Sequence, residues 1–68
     1  MILYLSTKNI NRETLSLVTG KSIMTVSRWF NGRVPSLKDL SAIAKHIAQL
    51  EQRKYEIVLL EMIESIEL

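Results

Sequence analysis

The chain has 68 residues, no Cys, 47% hydrophobic residues and 24% charged residues. These values indicate one small folded domain, and they exclude a disordered chain, a disulfide scaffold and a thiolate metal site. The net charge of +2 is uninformative by itself, and no apolar run is long enough for a signal sequence or a membrane span.

The first half of the sequence predicts three short helices with no strand between them. The first covers about residues 2–8, with Tyr4 or Leu5 facing inward. Asn11 is a good N-cap for a second helix over 12–19. Ser22 is a good N-cap for a third helix from Ile23 to about Asn31.

Two glycines mark where the second and third helices end. Gly20 follows Thr19, and Gly32 follows Asn31. Glycine adopts a positive φ at no steric cost, so it commonly terminates helices. The sequence therefore predicts two helices joined by a tight turn at residues 20–22.

The second half predicts a fourth helix and leaves its end open. Pro35 cannot continue a helix, and Ser36 to Asp39 resembles a capping box with Asp in place of Glu or Gln. One apolar face follows, made of Leu37, Leu40, Ile43, Ala44 and Ile47. After Leu50 the apolar phase slips by about one residue. This predicts either a fourth helix ending near Gln52 and a fifth over about 54–66, or one long bent helix.

Residues 12–31 have the residue types that a helix-turn-helix needs at the required places. Leu15 supplies an apolar anchor, and Ser16 is small where the two helices cross. Gly20 tolerates the left-handed turn, and Val26 and Trp29 form an apolar inner stripe on the second helix of the motif.

The segment from Arg12 to Pro35 resembles the phage lambda repressor and Cro superfamily. The family pattern is matched at Leu15, Ser16, Gly20, Ser22, Val26, Ser27, Trp29 and Gly32. The resemblance implies an all-α fold, a lambda-repressor-like bundle of about five helices. We expect residues 1–68 to form one such domain, with the motif at 12–31 and an extended C-terminal helix.

The resemblance also implies binding of double-stranded DNA, with residues 23–31 as the recognition helix. We expect its outward face and its start to contact base edges through Ile23, Met24, Ser27, Arg28 and Asn31. Arg pairs bidentately with guanine, Ser bonds several base edges, and an apolar side chain contacts the thymine methyl. We expect phosphate contacts from Arg12, Lys21, Ser22 and Arg33. The family usually has Gln where this chain has Arg12.

Charge is distributed unevenly along the chain. Residues 1–35 contain five basic and one acidic residue, a net charge of +4, whereas residues 36–68 contain four basic and six acidic residues, a net charge of −2. A basic half beside an acidic half suggests that only the first half faces a polyanion. Chance clustering on a solvated surface is the alternative explanation.

The C-terminal segment is unusually apolar. Eight of the twelve residues from Ile57 to Leu68 are apolar, more than one helix face can bury. A domain this small buries only about 60% of its unfolded surface. We therefore expect residues 53–67 to form a dimerisation helix with Leu59, Met62, Ile63 and Ile66 at the interface. The alternative is a wide helix packed entirely against the first and fourth helices.

Together these features predict a homodimeric transcriptional regulator, a repressor that binds an inverted-repeat operator. The alternative is an interaction or adapter module in a toxin–antitoxin or DNA-packaging assembly. No catalytic arrangement is present: Gly20-Lys21-Ser22 lacks the first P-loop glycine because position 15 is Leu, and His46 is the single His. We expect no enzyme activity, cofactor, metal, small-molecule ligand or membrane contact. The expected location is the cytoplasm, at the nucleoid, with a prokaryotic or phage origin.

Overall fold

A computed structural model of the protein describes residues 2–8 and 10–66, and these residues form five helices. They are α1 (Ile2–Thr7), α2 (Arg12–Thr19), α3 (Ile23–Phe30), α4 (Leu37–Glu51) and α5 (Tyr55–Glu64). The expected all-α bundle of about five helices is confirmed. Positions 1, 9, 67 and 68 of the expected domain lie outside the described residues. No helix in the described part has the length and apolar character to cross a membrane.

Side-chain caps fix where three of the helices begin. Asn11, Ser22 and Ser36 each accept a hydrogen bond from the backbone N–H three residues later, at 2.8, 3.2 and 3.3 Å. Each bond satisfies one of the N–H groups that the first turn of a helix leaves without a partner. The starts of α2, α3 and α4 therefore agree with those predicted from the sequence.

The turn between α2 and α3 depends on a left-handed residue. Gly20 has φ 73°, and its N–H donates to the carbonyl oxygen of Ser16 at 2.9 Å. The Ser16 hydroxyl in turn donates to the carbonyl oxygen of Lys21 at 2.5 Å. The small residue predicted at the helix crossing thus also hydrogen-bonds the backbone of the turn.

The fourth and fifth helices are separate elements. Gln52 takes the left-handed conformation at φ 54°, and the N–H groups of Gln52 and Arg53 both donate to the Ala48 carbonyl oxygen. The helix α5 then covers 10 residues, against 15 in α4. The described α5 begins at Tyr55 and ends at Glu64, within the range 53–67 expected for the C-terminal helix, and position 67 lies outside the described residues.

One apolar core joins all five helices. Its buried residues are Leu5, Leu15, Val26, Trp29, Leu40, Ile43, Ala44, Ile47, Ala48, Val58 and Met62. The helix α4 supplies five of them and packs against both α2 and α5. Leu37 was expected on the buried face of α4, but it is exposed, since it is the first residue of that helix and lies a turn before the packed region begins at Leu40.

A cluster of charged residues connects α1 to the α4–α5 turn and to α5. Lys8 pairs with Glu51 at 3.1 Å, and Arg53 pairs with both Glu51 and Glu61. Hydrogen bonds from Arg53 are the main reason that the pKa values of Glu51 and Glu61 lie below their usual range. Burial, and then the negative charge of Glu61, raise the pKa of Tyr4 to about 12.

Candidate nucleic-acid interface

The helix α3 has one buried face and one exposed face. Val26 and Trp29 lie in the core, whereas Met24 is 68% exposed and Arg28 and Asn31 are also exposed. Three of the five residues expected to contact base edges therefore lie on a solvent-facing surface of one helix. Trp29 is a core residue and is unavailable for stacking on a base.

The other two expected base-contacting residues line a shallow groove between α3 and the start of α2. Ile23 is exposed and Ser27 is partly buried, and both face this groove. Its remaining lining comes from Ile10, Asn11, Arg12, Glu13 and Phe30. The groove therefore brings Arg12, an expected phosphate contact, next to the expected base-contacting surface.

Arg12 lies over an aromatic ring at the edge of this groove. Its guanidinium carbon Cζ lies 5.1 Å from the centroid of the Phe30 ring. This distance is within the range of a cation–π contact. Phe30 is the last residue of α3 and Arg12 the first of α2, so the contact joins the two helices of the motif at the exposed surface.

Two of the residues expected to contact phosphates already form polar interactions within the chain. The Ser22 hydroxyl accepts from the Thr25 N–H and donates to the Thr25 Oγ1 at 3.1 Å. The Lys21 ammonium lies 3.9 Å from the buried carboxylate of Asp39, and its side chain remains about half exposed. Both residues thus have a structural role at the turn and at the start of α4.

Arg33 lies immediately beyond α3 and is exposed. Gly32 has φ 109°, and the backbone N–H of Arg33 donates to the Arg28 carbonyl oxygen at 2.9 Å. This bond, between residues five apart, is typical of a glycine-terminated helix. The predicted helix end at Asn31-Gly32 is confirmed.

Positive charge on this face comes mainly from three arginines. Arg12, Arg28 and Arg33 form no ion pair with any residue in the ranges 2–8 and 10–66. The other two basic residues of the N-terminal half, Lys8 and Lys21, are paired with Glu51 and Asp39. Unpaired arginines beside an exposed helix favour attraction of a polyanion to this face.

The expected dimer residues do not share one exposed face of α5. Met62 is 0% exposed, and Leu59 and Ile66 pack against the core, so the assignment of Met62 to an interface is wrong. Met62 lies on the side of α5 that packs against the other helices, together with Val58, four residues earlier. Ile66 lies beyond the end of α5, and only Ile63 among the four is exposed.

A different set of apolar side chains is exposed on α5. Ile57, Leu60 and Ile63 are between 44% and 56% exposed, and their spacing of three residues places them along one side of the helix. We call these three residues the α5 stripe. Sequence reasoning missed Ile57 and Leu60, and it also missed Phe30, whose contact with Arg12 depends on how α2 crosses α3.

Comparison with protein families gives a match over more than half of the chain. A family model described as helix-turn-helix matches residues 6–51, which are 46 of the 68 residues. The matched region includes α2, the turn, α3 and all of α4. No curated protein and no solved structure matches the chain.

Proposed function

Since the chain belongs to the DNA-binding helix-turn-helix family of the lambda repressor and Cro type, we propose that it represses transcription by binding a specific operator sequence. The recognition helix is α3, and its exposed face lies in the major groove. A bound protein there would block access of polymerase to the DNA. We place this activity in the cytoplasm, at the nucleoid of a prokaryotic cell.

The observation that carries the proposal is that α3 has one buried face and one exposed face. Its inner residues Val26 and Trp29 are buried, which fixes the orientation of the helix on the domain. Arg28 and Asn31 are then exposed with donors that match base edges, and Met24 supplies an apolar group for a thymine methyl. Among residues 2–8 and 10–66, no side-chain hydrogen bond or ion pair engages these three exposed side chains, so they are available for sequence recognition.

Phosphate contacts would hold the helix in position. Arg12 lies at the start of α2, beside the Phe30 ring, and Arg33 follows the end of α3. Contacts to the backbone on both sides of a groove fix the register of a protein on DNA without selecting sequence. Lys21 and Ser22 contribute less in this proposal, because each already interacts within the chain.

We further propose a twofold dimer formed by the α5 stripe. Leu60 lies three residues from both Ile57 and Ile63, so two antiparallel α5 helices centred on Leu60 bring Ile57 of one copy against Ile63 of the other. Such a self-complementary patch is what a twofold contact requires. The operator would be an inverted repeat with half-sites about one helical turn, roughly 34 Å, apart.

Titration of the purified chain against captured DNA tests the proposal. Sheared genomic DNA is passed over the immobilised protein, and the retained fragments are titrated beside a scrambled duplex of equal length. We expect at least about 10³-fold tighter binding to a retained fragment at physiological salt. Equal affinity for every fragment would contradict sequence-specific regulation.

A second candidate, an adapter in a toxin–antitoxin or DNA-packaging assembly, rests on the same α5 stripe. Three exposed apolar side chains on one helix would suit a different protein partner as well as a second copy. The two candidates differ in what the isolated chain does. A regulator binds a discrete site unaided, whereas an adapter gains such binding only when its partner protein is present.

A further inference from the structure

We propose that Phe30 is a positioning residue that holds the guanidinium of Arg12 ready for a DNA phosphate; this inference rests on the proposed DNA-binding function. The ring belongs to the end of the recognition helix, and the guanidinium belongs to the start of α2. The pair therefore couples a contact with the DNA backbone to the placement of the helix that contacts bases.

The position of Arg12 explains why a holding contact is needed. It is the first residue of α2, where the helix dipole is positive and disfavours a cation. No carboxylate among residues 2–8 and 10–66 forms an ion pair with its guanidinium, and this includes the carboxylate of the neighbouring Glu13. Without a partner, this long side chain would occupy many rotamers. The Phe30 ring, 5.1 Å away, restricts it.

The ring leaves the arginine able to bind phosphate. The Phe30 ring meets the guanidinium carbon at 5.1 Å, whereas the five N–H donors of a guanidinium point outward in its plane. In this contact the side chain can therefore still offer two parallel N–H groups to a phosphate. Arg12 is exposed and lines the groove, so its guanidinium is open to solvent.

Phe30 itself is suited to this role. It is partly buried and packs against the core, which fixes the ring, while part of its surface remains in the groove. The neighbouring Trp29 is buried in the core. A mutation at Phe30 should therefore act on DNA binding through Arg12, and the effect should depend on the presence of Arg12.

A double-mutant cycle tests the proposal. Wild type, F30L, R12A and the double variant are titrated against the same operator and against unrelated DNA over a range of salt. We expect F30L to weaken binding to both DNAs by about two- to fivefold, the range of an exposed cation–π contact. The double variant should bind no more weakly than R12A. Phe30→Tyr, which keeps the ring, should restore binding to within twofold of wild type.

If the double variant binds more weakly than R12A by the full factor seen for F30L alone, the two residues act independently and the proposal is overturned. Failure of Phe30→Tyr to restore binding would also overturn it. If F30L unfolds, an NMR measurement on the wild type without DNA tests the proposal instead. The Phe30 ring current should shift the δ protons of Arg12 upfield. Unshifted δ protons overturn the proposal. A wild type that shows this shift but binds no DNA contradicts the proposed function instead, and the role of the pair fails with it.

Discussion

The backbone N–H of Arg33 donates a hydrogen bond of 2.9 Å to the carbonyl oxygen of Arg28. The bond closes α3 and turns the chain away, with Gly32 at φ 109° between the two residues. Arg28 therefore stays on the exposed face of the helix while Arg33 begins the segment beyond it. Two arginines five residues apart are thus expected to contact different parts of the DNA, a base and a phosphate.

Arg33→Ala should weaken binding to all DNA sequences by a similar factor. The lost contact is to a phosphate, which carries no sequence information. The slope of log affinity against log salt should fall by about 0.9, the value for one phosphate contact. Titrations at several salt concentrations measure this, with Lys45→Ala on α4 as the control of equal charge change. A change in base preference would mean that Arg33 contacts bases.

Gly20→Ala should destabilise the fold by about 1–2 kcal/mol, the cost of a left-handed conformation in a residue with a Cβ. The loss comes from the φ of 73° and not from a clash, because apart from the adjacent residues no heavy atom of the described part of the chain lies within 4 Å of an added Cβ. Gly20→Asn should lose less, since Asn tolerates this conformation better. Urea denaturation measures both variants. Equal stability of Gly20→Ala and wild type would contradict the strain argument.

Much of the motif was predictable because its signals are local. Asn11 and Gly20 mark the two ends of α2 with a cap and a left-handed residue, and both effects act within four residues of the chain. The end of α4 carries no such mark. Gln52 adopts a positive φ there, and nothing in its residue type distinguishes it from a helical residue, so one bent helix remained an alternative.

The contacts of α5 were harder to predict because its apolar residues surround most of the helix. Periodicity then fails to distinguish Met62, which is buried, from Leu60, which is exposed. The contact between Arg12 and Phe30 was missed for a different reason: it joins residues 18 positions apart, and it depends on the crossing of two helices. The apolar pattern within a single helix does not predict a contact between two helices.

Stability should fall as the pH drops below the usual carboxyl range. Hydrogen bonds from Arg53 lower the folded-state pKa values of Glu51 and Glu61 below the ordinary value of 4.5. The folded state therefore binds fewer protons than the unfolded state between these values, so the contribution is complete above pH 4.5 and is lost as the pH falls through the lowered pKa values.

Melting temperatures measured from pH 7 to pH 3 test this pH dependence. Arg53→Met should flatten the acid part of the profile, because the two carboxylates lose their main donor. Glu64→Gln, an exposed carboxylate on α5, serves as the control and should keep the steep profile. Identical profiles for wild type and Arg53→Met would exclude this cluster as the origin of the acid sensitivity.

Leu60→Glu should convert the proposed dimer into a monomer without unfolding it. Leu60 is the centre of the α5 stripe, so the substitution places two carboxylates against each other across the twofold axis. Leu50→Glu, at another exposed leucine, should leave assembly unchanged. Sedimentation at micromolar concentration measures the mass of each variant. A wild-type monomer that still binds one asymmetric site tightly would remove the dimer and the inverted repeat together.

Protection of guanine N7 from methylation tests the central claim that α3 contacts bases in the major groove. The N7 atom lies in that groove and is half of the bidentate pair that arginine forms with guanine. Arg28→Ala should relax base preference at one operator position and cost about 1–3 kcal/mol of binding free energy. We predict that wild type protects a guanine in each half-site and that Arg28→Ala, at a concentration giving equal occupancy, leaves that guanine reactive while the others stay protected. Guanines that are equally protected by the two proteins, or by neither, would contradict this account of Arg28 and α3.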